Sequence, residues 1–486
     1  MSPCRPLLCA TLTASRTAEL CAQRDRVVGA DLVELRLDSV ADPDVPAALA
    51  GRHLPAVVTC RARDQGGLFK GSEAERRRIL REALDGGAEF VDLEWRHGFD
   101  DWIRQRGGRG IVLSHHDFSG VPADLETIVA AMAATGAEVV KVAVMASRLS
   151  DCARLAAIGR RYPDRRLVLI GMGDAGVVTR ICPARFGSCW TYAGLAVAPG
   201  QLTVEQLHRE FRFSAVGADT PLYGILGRPV GHSVSPAMHN AAYDTLGVDA
   251  VYVPLAAASV DDLLQAAGAL GVDGVSVTAP FKDAVLPYLA VVDRTAARVG
   301  AVNTMTRHAD GWHGTNTDVA GFLAGLGGPM DAGTRAAILG AGGAARAAAL
   351  ALHESGCAVT CYAREPARAR ALAAAAGVAA AVRPVAPGSW DLLVNATPVG
   401  TYPDQRATAF PEAQFTGRIV YDMVYNPPVT RLMREAGASG CRTIGGLEML
   451  VEQARLQIEQ WTGRKPDAAV LRDAAQWKLS TFTDAS

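Results

Sequence analysis

The stretch IVLSHHDFSG, residues 111–120, decides how the first half of this 486-residue chain is interpreted. An apolar run ends there in two adjacent histidines and an aspartate. The next β-branched run, VVKVAVMA at 139–146, carries Lys141 among valines. A charged amine is costly to bury in an apolar strand, so it needs a carboxylate partner or a chemical role. The two runs together pose the question of whether an imidazole and an amine face one site.

Six further runs of the same kind occupy the first 210 residues, and segments long enough for a helix separate most of them. They read LLCATLT, LVELRLD, AVVTCRA, FVDLEW, RLVLIGMG and TYAGLAV. Strands that alternate with helices predict a parallel sheet, and eight such units predict a closed (β/α)8 barrel. We therefore expect the polar side chains to gather at the carboxyl ends of the strands, where barrel enzymes carry their sites.

The composition is that of an ordinary globular protein. The chain is 49% apolar and 20% charged, with a net charge of −1. This balance gives no electrostatic reason to expect nucleic acid or a membrane as a partner.

The ten cysteines form no C-x-x-C pair and no histidine cluster complements them, so we expect reduced thiols and no metal site. The N-terminal segment is typical of a first strand and not of a targeting peptide, so we expect a cytoplasmic location.

A lysine on one barrel strand and a histidine at the end of the preceding one suggest Schiff-base chemistry. A lysine amine can attack a ketone to form an imine, and a neighbouring imidazole can move protons at the adjacent carbon. Arg36, Arg61 and Arg180 follow strands of the same barrel, and guanidinium forks fit a substrate carboxylate. The structural alternative is that Lys141 only pairs with a carboxylate such as Glu34.

VELRLD, LSHHDF, VKVAVMA, TRICPARFGS and APGQL occur in this order within residues 6–210 and resemble the type I 3-dehydroquinate dehydratase family. The resemblance implies dehydration of 3-dehydroquinate through an imine on Lys141, with His116 as acid and base. It assigns substrate contacts to Glu34, Arg36, Arg61, Arg180 and Gln201. The chain departs from the family pattern at Gln65, where an acid is usual, and at Val197, where a small hydroxyl residue is usual.

The second half begins after a stretch of small and polar residues at 214–220, which predicts a linker. RAAILGAGGAARAA, from residue 335, combines a strand, a Gly-rich turn and a helix. A dinucleotide-binding unit has this order, because the first helical amides hold the pyrophosphate. The next strand ends in Ala363 and Arg364 where an NAD site would place an acid, which favours NADP. A tight turn without a ligand is the alternative.

Three motifs between the linker and the Gly-rich turn carry hydroxyls and charges. GRPVGHSVSPAMHN holds Ser233 and Ser235, VSVTAPFKDAV holds Thr278 and Lys282, and GTNTDVAGF holds Asp318. A lysine beside an aspartate can donate a proton to a carbonyl oxygen, or accept one in the reverse direction. Helix capping by a serine and a surface salt bridge between the lysine and the aspartate are the structural alternatives.

Together with NATPVG, YDMVYNP and GGLEMLVEQA, these motifs resemble shikimate dehydrogenase over residues 221–475. The resemblance implies reduction of 3-dehydroshikimate by NADPH, with Lys282 and Asp318 as the catalytic pair. It assigns substrate contacts to Ser233, Ser235, Thr278, Asn303, Asp318, Tyr425 and Gln453. Cofactor contacts are expected from Gly340, Gly342, Gly343, Ala344, Arg364, Arg368 and Thr397. The chain has Ser276 where the family usually has asparagine.

We therefore predict an α/β protein with an N-terminal (β/α)8 barrel, followed by a two-lobed shikimate dehydrogenase-like unit with a Rossmann-type NADP-binding domain. The expected boundaries are a barrel at 1–213, a linker at 214–220 and the second part at 221–486. Within the second part, we expect a substrate lobe at about 221–325 with a C-terminal helix at about 446–475, and an NADP-binding lobe at about 326–445.

The two halves resemble consecutive steps of one pathway, so we expect a bifunctional enzyme. Its partners would be the small molecules 3-dehydroquinate, 3-dehydroshikimate and shikimate, with neither nucleic acid nor membrane. Two alternatives remain open at this point. The second half can act on quinate as well as shikimate, or the chain can be a binding protein that kept the fold without the chemistry.

Overall fold

The computed structural model describes residues 5–194, 199–411 and 414–483. The strands are β1 Leu7–Leu12, β2 Leu32–Arg36, β3 Ala56–Thr59, β4 Phe90–Glu94, β5 Ile111–Asp117, β6 Val139–Met145, β7 Arg166–Met172, β8 Trp190–Ala193, β9 Leu222–Leu226, β10 Val251–Leu255, β11 Val272–Val277, β12 Val291–Val292, β13 Thr304–His308, β14 Gly311–Thr315, β15 Arg335–Leu339, β16 Ala358–Tyr362, β17 Ala379–Ala381, β18 Leu392–Asn395, β19 Ile419–Asp422 and β20 Arg442–Gly445. The α-helices are α1 Thr17–Arg24, α2 Val45–Leu49, α3 Glu73–Asp85, α4 Asp100–Gln105, α5 Leu125–Ala134, α6 Leu149–Arg161, α7 Val177–Ile181, α8 Ser235–Leu246, α9 Val260–Leu270, α10 Arg294–Val299, α11 Asp318–Leu326, α12 Gly343–Glu354, α13 Pro366–Ala376, α14 Arg431–Ala438, α15 Leu447–Thr462 and α16 Ala468–Thr483.

The described residues group into two compact units. The first runs to Leu222 and includes residues 229–231 and 249–272, and the second contains the remainder of the described chain. None of the helices in the described ranges is both long and apolar enough to cross a membrane.

The first eight strands form the predicted barrel. They lie in one parallel sheet in the order β7-β6-β5-β4-β3-β2-β1-β8. A parallel bridge between Leu167 of β7 and Ser188, just before β8, joins the two edges of the sheet. Each predicted run overlaps one observed strand, so the (β/α)8 prediction is confirmed. The end of the last run, including Val197, lies outside the described residues.

The inside of the barrel is apolar towards the amino ends of the strands and polar towards their carboxyl ends. In β2, Leu32 precedes Glu34, and in β6, Val139 precedes Lys141. Because side chains two positions apart share one face of a strand, each pair points the same way. The apolar member of each pair belongs to the core inside the barrel. Glu34 and Lys141 therefore lie towards the open, carboxyl-end face of the barrel, next to a packed apolar core.

The second unit contains a Rossmann-type sheet. Its strands are parallel and lie in the order β17-β16-β15-β18-β19-β20, which is 3-2-1-4-5-6 when they are counted along the chain. This is the dinucleotide-binding order, and the prediction of a Rossmann-type domain is confirmed. In the same unit, β9, β11, β13, β14 and β12 neighbour one another in that order.

The C-terminal region differs from the single helix expected at about 446–475. Two helices are present, α15 and α16, because Gly463 adopts a left-handed conformation with φ +69° at the end of α15 and Pro466 follows it. Gln460 and Trp461 of α15 donate hydrogen bonds to Thr306 and to the Met305 carbonyl of β13. α15 therefore packs against the substrate lobe, and α16 packs against α8.

Helix α6 approaches the barrel so closely that one of its positions has to be glycine. A Cβ atom on Gly159 would lie 2.1 Å from the Phe186 carbonyl oxygen. We expect Gly159→Ala to lower the free energy of unfolding by about 2 kcal/mol, because overpacking outweighs the better helix propensity of alanine. Urea unfolding followed by circular dichroism measures the change.

Gly268 provides the matched control, because it lies within α9 and a Cβ there would contact nothing within 4 Å. Gly268→Ala should stabilise the chain by about 1 kcal/mol. Equal stability of the two variants would contradict the close approach of α6 to the barrel.

Candidate active sites

A pocket opens at the carboxyl ends of the barrel strands. His116 of β5 and Lys141 of β6 both line it. The other residues expected at the first site also line it, namely Glu34, Arg36, Arg61, Arg180 and Gln201. His115 instead packs edge-on against Trp95, with ring centroids 5.8 Å apart. The alternation of side chains along β5 thus separates the two adjacent histidines.

The Lys141 amine lies between two buried carboxylates. Its Nζ is 3.0 Å from Oδ2 of Asp92 and 3.7 Å from Oε1 of Glu34, and it sits 4.1 Å above the centre of the Tyr192 ring. Asp92 is the nearer carboxylate, and Glu34, which the sequence offered as an example of a partner, is also within ion-pair distance. Asp92 is not among the site residues predicted from the sequence, although the alternation of acids with apolar residues in FVDLE places Asp92 and Glu94 on one face of the strand.

Arg61 is tied to carboxylates of the barrel itself. Its Nη1 and Nη2 donate to the two oxygens of Asp92 at 2.8 and 2.7 Å, and Nη1 also donates to Ser114. Although burial raises it, the cations of Arg61 and Lys141 hold the pKa of Asp92 well below its usual value. Arg61 therefore helps to keep Asp92 ionised beside the lysine, and its predicted contact with the substrate stays a prediction.

Two further ion pairs, formed by Arg76 and by Arg36, lie in the same barrel. Arg76 of α3 is buried, and its Nη1 donates to Glu94 at 2.7 Å. Arg36 donates two hydrogen bonds of 2.8 Å each to the carboxylate of Asp38. Glu34 accepts hydrogen bonds from the hydroxyls of two threonines, Thr11 and Thr59. Each carboxylate near the lysine is therefore oriented by a partner of its own.

Arg180 is the exception among the arginines of the pocket. It is 2% exposed, and its nearest acceptors are the carbonyl oxygens of Tyr192 and Pro199 at 3.4 and 3.5 Å. No carboxylate of the described residues pairs with it, and burial lowers the pKa of its guanidinium to about 10. A buried cation that lines a pocket without a counterion is suited to an anionic ligand.

His116 is held at the mouth of the pocket. Its backbone N–H donates to Oε1 of Gln65 at 2.9 Å, and its ring stacks on Phe118. Burial, reinforced by the cations of Arg61 and Lys141, holds the pKa of the His116 imidazole well below its usual value. Within the described part of the chain its Nδ1 is buried and has no hydrogen-bond partner. A neutral imidazole of this kind can accept a proton from a ligand.

The second site contains the expected lysine and aspartate in direct contact. Nζ of Lys282 is 2.5 Å from Oδ2 of Asp318, and Nδ2 of Asn303 donates to Oδ1 of Asp318 at 2.9 Å. The Asp318 side chain is 6% exposed, so the pair is not an ordinary surface salt bridge. A Cβ atom on Gly343 would lie 3.0 Å from Cδ of Lys282, so the start of α12 reaches the lysine closely.

The remaining residues predicted to bind the substrate of this half lie on several elements of the second unit. Ser235 begins α8 and is buried, and its N–H donates to the Ser233 hydroxyl at 3.2 Å. Gln453 of α15 is also buried, and Thr278 and Tyr425 are partly exposed. Burial raises the pKa of the Tyr425 hydroxyl, which keeps it a hydrogen-bond donor.

The Gly-rich turn lies where the order of the Rossmann sheet reverses, between β15 and β18. A Cβ atom on Gly340, whose φ is +124°, would lie 2.9 Å from the Ala396 carbonyl oxygen. Gly342 caps α12 without a side-chain hydrogen bond, so the first amides of the helix, including that of Ala344, suit a phosphate. Thr397 sits on the neighbouring loop, where Asn395 accepts hydrogen bonds from its N–H and hydroxyl.

Two exposed arginines follow β16 at the same edge of the sheet. Arg368 lies 4.0 Å from Glu365, and Arg364 is close to it in the chain. Together with the uncapped helix and the close glycine, they fit a dinucleotide that carries an additional phosphate.

Comparison with known proteins covers both halves of the chain. Type I 3-dehydroquinase matches residues 8–217, the shikimate dehydrogenase substrate binding domain matches 225–305, and the shikimate 5'-dehydrogenase C-terminal domain matches 446–476. A bifunctional 3-dehydroquinate dehydratase/shikimate dehydrogenase of Arabidopsis thaliana, described as chloroplastic, is 34% identical over 496 residues, which cover 94% of this chain and 82% of that protein. The chain belongs to this bifunctional dehydratase/dehydrogenase family.

Single-function relatives match the second half alone. Shikimate dehydrogenase (NADP(+)) of Moorella thermoacetica is 43% identical over 273 residues, covering 53% of this chain and 92% of that protein. A crystal structure of a shikimate dehydrogenase in complex with NADP+ is 33% identical and has a TM-score of 0.51, covering 54% of this chain and 97% of the other. The family resemblance of both halves is thus confirmed.

The buried charge of Arg180 should lower the free energy of unfolding of the ligand-free barrel. Replacing it by methionine removes an uncompensated buried charge, so Arg180→Met should raise the free energy of unfolding of the ligand-free chain by about 1 kcal/mol. Urea unfolding without substrate measures this.

The matched control is Arg36→Met, which leaves the buried carboxylate of Asp38 without its guanidinium. It should lower the free energy of unfolding by about 3 kcal/mol. A loss of stability in Arg180→Met as large as that of the control would contradict our account of an arginine without a counterion.

Proposed function

We propose that the chain catalyses two consecutive reactions. The barrel removes water from 3-dehydroquinate to give 3-dehydroshikimate, and the second half reduces that product with NADPH to shikimate. The observation that carries the proposal is the meeting of the Lys141 amine and the His116 ring in one pocket, in a chain whose Arabidopsis relative spans both halves.

In the proposed dehydratase reaction, the Lys141 amine attacks the ketone carbon, and loss of water from the adduct leaves a protonated imine. Neutral His116 then takes a proton from the carbon next to the imine carbon. It returns that proton to the departing hydroxyl, which leaves as water. Hydrolysis of the imine releases 3-dehydroshikimate and restores the amine. Arg180 holds the substrate carboxylate, and Asp92 keeps the amine in place.

In the proposed reductase reaction, NADPH supplies a hydride when bound. Lys282 donates a proton to the ketone oxygen of the substrate, and Asp318 orients the lysine. The substrate hydroxyls and carboxylate are held by Ser233, Ser235, Thr278, Asn303, Tyr425 and Gln453. The dinucleotide phosphates would be held by Gly340, Gly342, Gly343, Ala344, Thr397, Arg364 and Arg368.

The proposed partners are therefore small molecules, namely 3-dehydroquinate, 3-dehydroshikimate, shikimate and NADP. We also propose a cytoplasmic location. The nine cysteines within the described ranges are all free thiols, which supports a reducing compartment. Cell fractionation that finds both activities in an organelle would contradict the location.

The two lysines should separate the two reactions. With 3-dehydroquinate and NADPH, the unsubstituted chain should oxidise NADPH after a lag. Lys141→Ala should lower the dehydratase turnover by about a thousandfold or more, because no imine forms, while 3-dehydroshikimate is still reduced. Lys282→Ala should lower reduction by about a hundredfold or more and let 3-dehydroshikimate accumulate. Each variant is the control for the other, and unchanged rates in either one would reject its assignment.

The dehydratase reaction should tolerate mild acid. His116 acts as a base in its neutral form, which exists above its pKa, and burial among cations moves that pKa below the ordinary value of about 6.5. We expect turnover to stay constant from neutral pH to below the ordinary imidazole value of about 6.5, and to fall only when the pH passes the lowered pKa of His116. A pH–rate profile of enone formation measures this, and half-maximal activity at or above about 6.5 would contradict a neutral His116.

A further inference from the structure

Gln457 of α15 is a buried polar residue to which neither half-reaction assigns a task. It is 1% exposed, and the hydrogen-bond partners of its side chain include Ser276, Thr304, Asn303 and His239. Its Oε1 accepts from the Ser276 hydroxyl at 2.7 Å. Its Nε2 donates to the Thr304 hydroxyl at 3.0 Å and to the Asn303 carbonyl at 3.2 Å. The amide is therefore fixed in one orientation.

The hydrogen bonds continue from Thr304 to the catalytic pair. The Thr304 hydroxyl donates to Oδ1 of Asn303 at 2.9 Å. Nδ2 of Asn303 donates to Oδ1 of Asp318 at 2.9 Å, and the other carboxylate oxygen of Asp318 contacts Lys282. The residues of this path from Gln457 to Asp318 are all buried.

Every donor along this path points towards the aspartate. Bonds that run in one direction polarise one another, and the last one ends on a charged acceptor, where hydrogen bonds are strongest. Glutamine suits the start of such a path because its amide accepts with one atom and donates with the other. A glutamate at this position would accept from both sides and would take the Thr304 hydroxyl away from Asn303.

We propose that Gln457 is a positioning residue of the dehydrogenase, which acts through Thr304 and Asn303 to orient the carboxylate of Asp318 towards Lys282. The short side chain of Ser276, at a position where the family usually has asparagine, contacts Gln457 through its hydroxyl. This inference rests on the proposed reduction of 3-dehydroshikimate, since it concerns the same lysine and aspartate.

Two substitutions of similar size test the direction of the path. Gln457→Met keeps the volume and loses both hydrogen-bonding atoms, and Gln457→Glu keeps an acceptor but loses the donor. Each should lower kcat of shikimate oxidation by about tenfold, while the KM for NADP+ and its affinity by calorimetry change by less than about twofold.

Gln460 is the matched control. It lies on the same helix, accepts from the Thr315 hydroxyl and donates to the Thr306 hydroxyl, so its side chain makes the same kinds of bond without leading to Asp318. Gln460→Met should leave kcat within about twofold. The inference is overturned if either Gln457 variant keeps kcat within that limit, or if the control loses as much as they do.

A spectroscopic measurement separates this inference from the proposed function. The side-chain amide of Asn303, observed by NMR in the asparagine-labelled full chain, should shift in Gln457→Met and stay in place in Gln460→Met. An unmoved signal in Gln457→Met overturns the inference whatever the turnover. Absence of shikimate oxidation by the unsubstituted chain would instead reject the proposed function, and the Asn303 signal would still decide on the path.

Discussion

The contact between the Lys141 amine and the Asp92 carboxylate, 3.0 Å long and buried, is the interaction on which the barrel site depends. It belongs to a cluster of three cations and three carboxylates, Arg61, Arg76, Lys141, Glu34, Asp92 and Glu94. Such clusters are costly to desolvate and add little stability, but removing one member leaves a charge uncompensated. Because the charges of this cluster balance, His116 is neutral and no carboxylate of the described residues pairs with Arg180, the Arg180 guanidinium makes the pocket attractive to an anion.

The same device occurs twice in the chain. In each half a lysine contacts a buried aspartate, and a third residue donates hydrogen bonds to that aspartate. In the barrel the donors are the charged fork of Arg61 and the Ser114 hydroxyl, within a cluster that already contains several ions. In the dehydrogenase the donor is the neutral amide of Asn303. The proposed tasks of the two lysines also differ. Lys141 forms a bond to the substrate and has to stay in place, whereas Lys282 has to exchange a proton.

Much of this arrangement could be predicted from the sequence. The repeat of strand and helix gave the barrel, and the glycines at 340–343 marked the turn that lies where the Rossmann sheet reverses. The identity of the carboxylate at Lys141 could not be predicted, because it depends on the stagger of the strands and not on any local pattern. The pairing of Arg61 with Asp92 could not be predicted for the same reason. The sequence pattern of an arginine at a strand end is the same whether its side chain binds a ligand or an acidic residue of the protein. The break between α15 and α16 could have been predicted, because a glycine followed by a proline, here Gly463 and Pro466, is typical of a helix end.

The most direct test of the central claim is reductive trapping of the imine. The full chain is incubated with 3-dehydroquinate and borohydride, and its peptides are then mapped by mass spectrometry. The chain contains only five lysines, so the site of a covalent adduct can be assigned without ambiguity. Our account predicts an adduct on Lys141 that requires the substrate. An unmodified Lys141 in a chain that still dehydrates 3-dehydroquinate would contradict it.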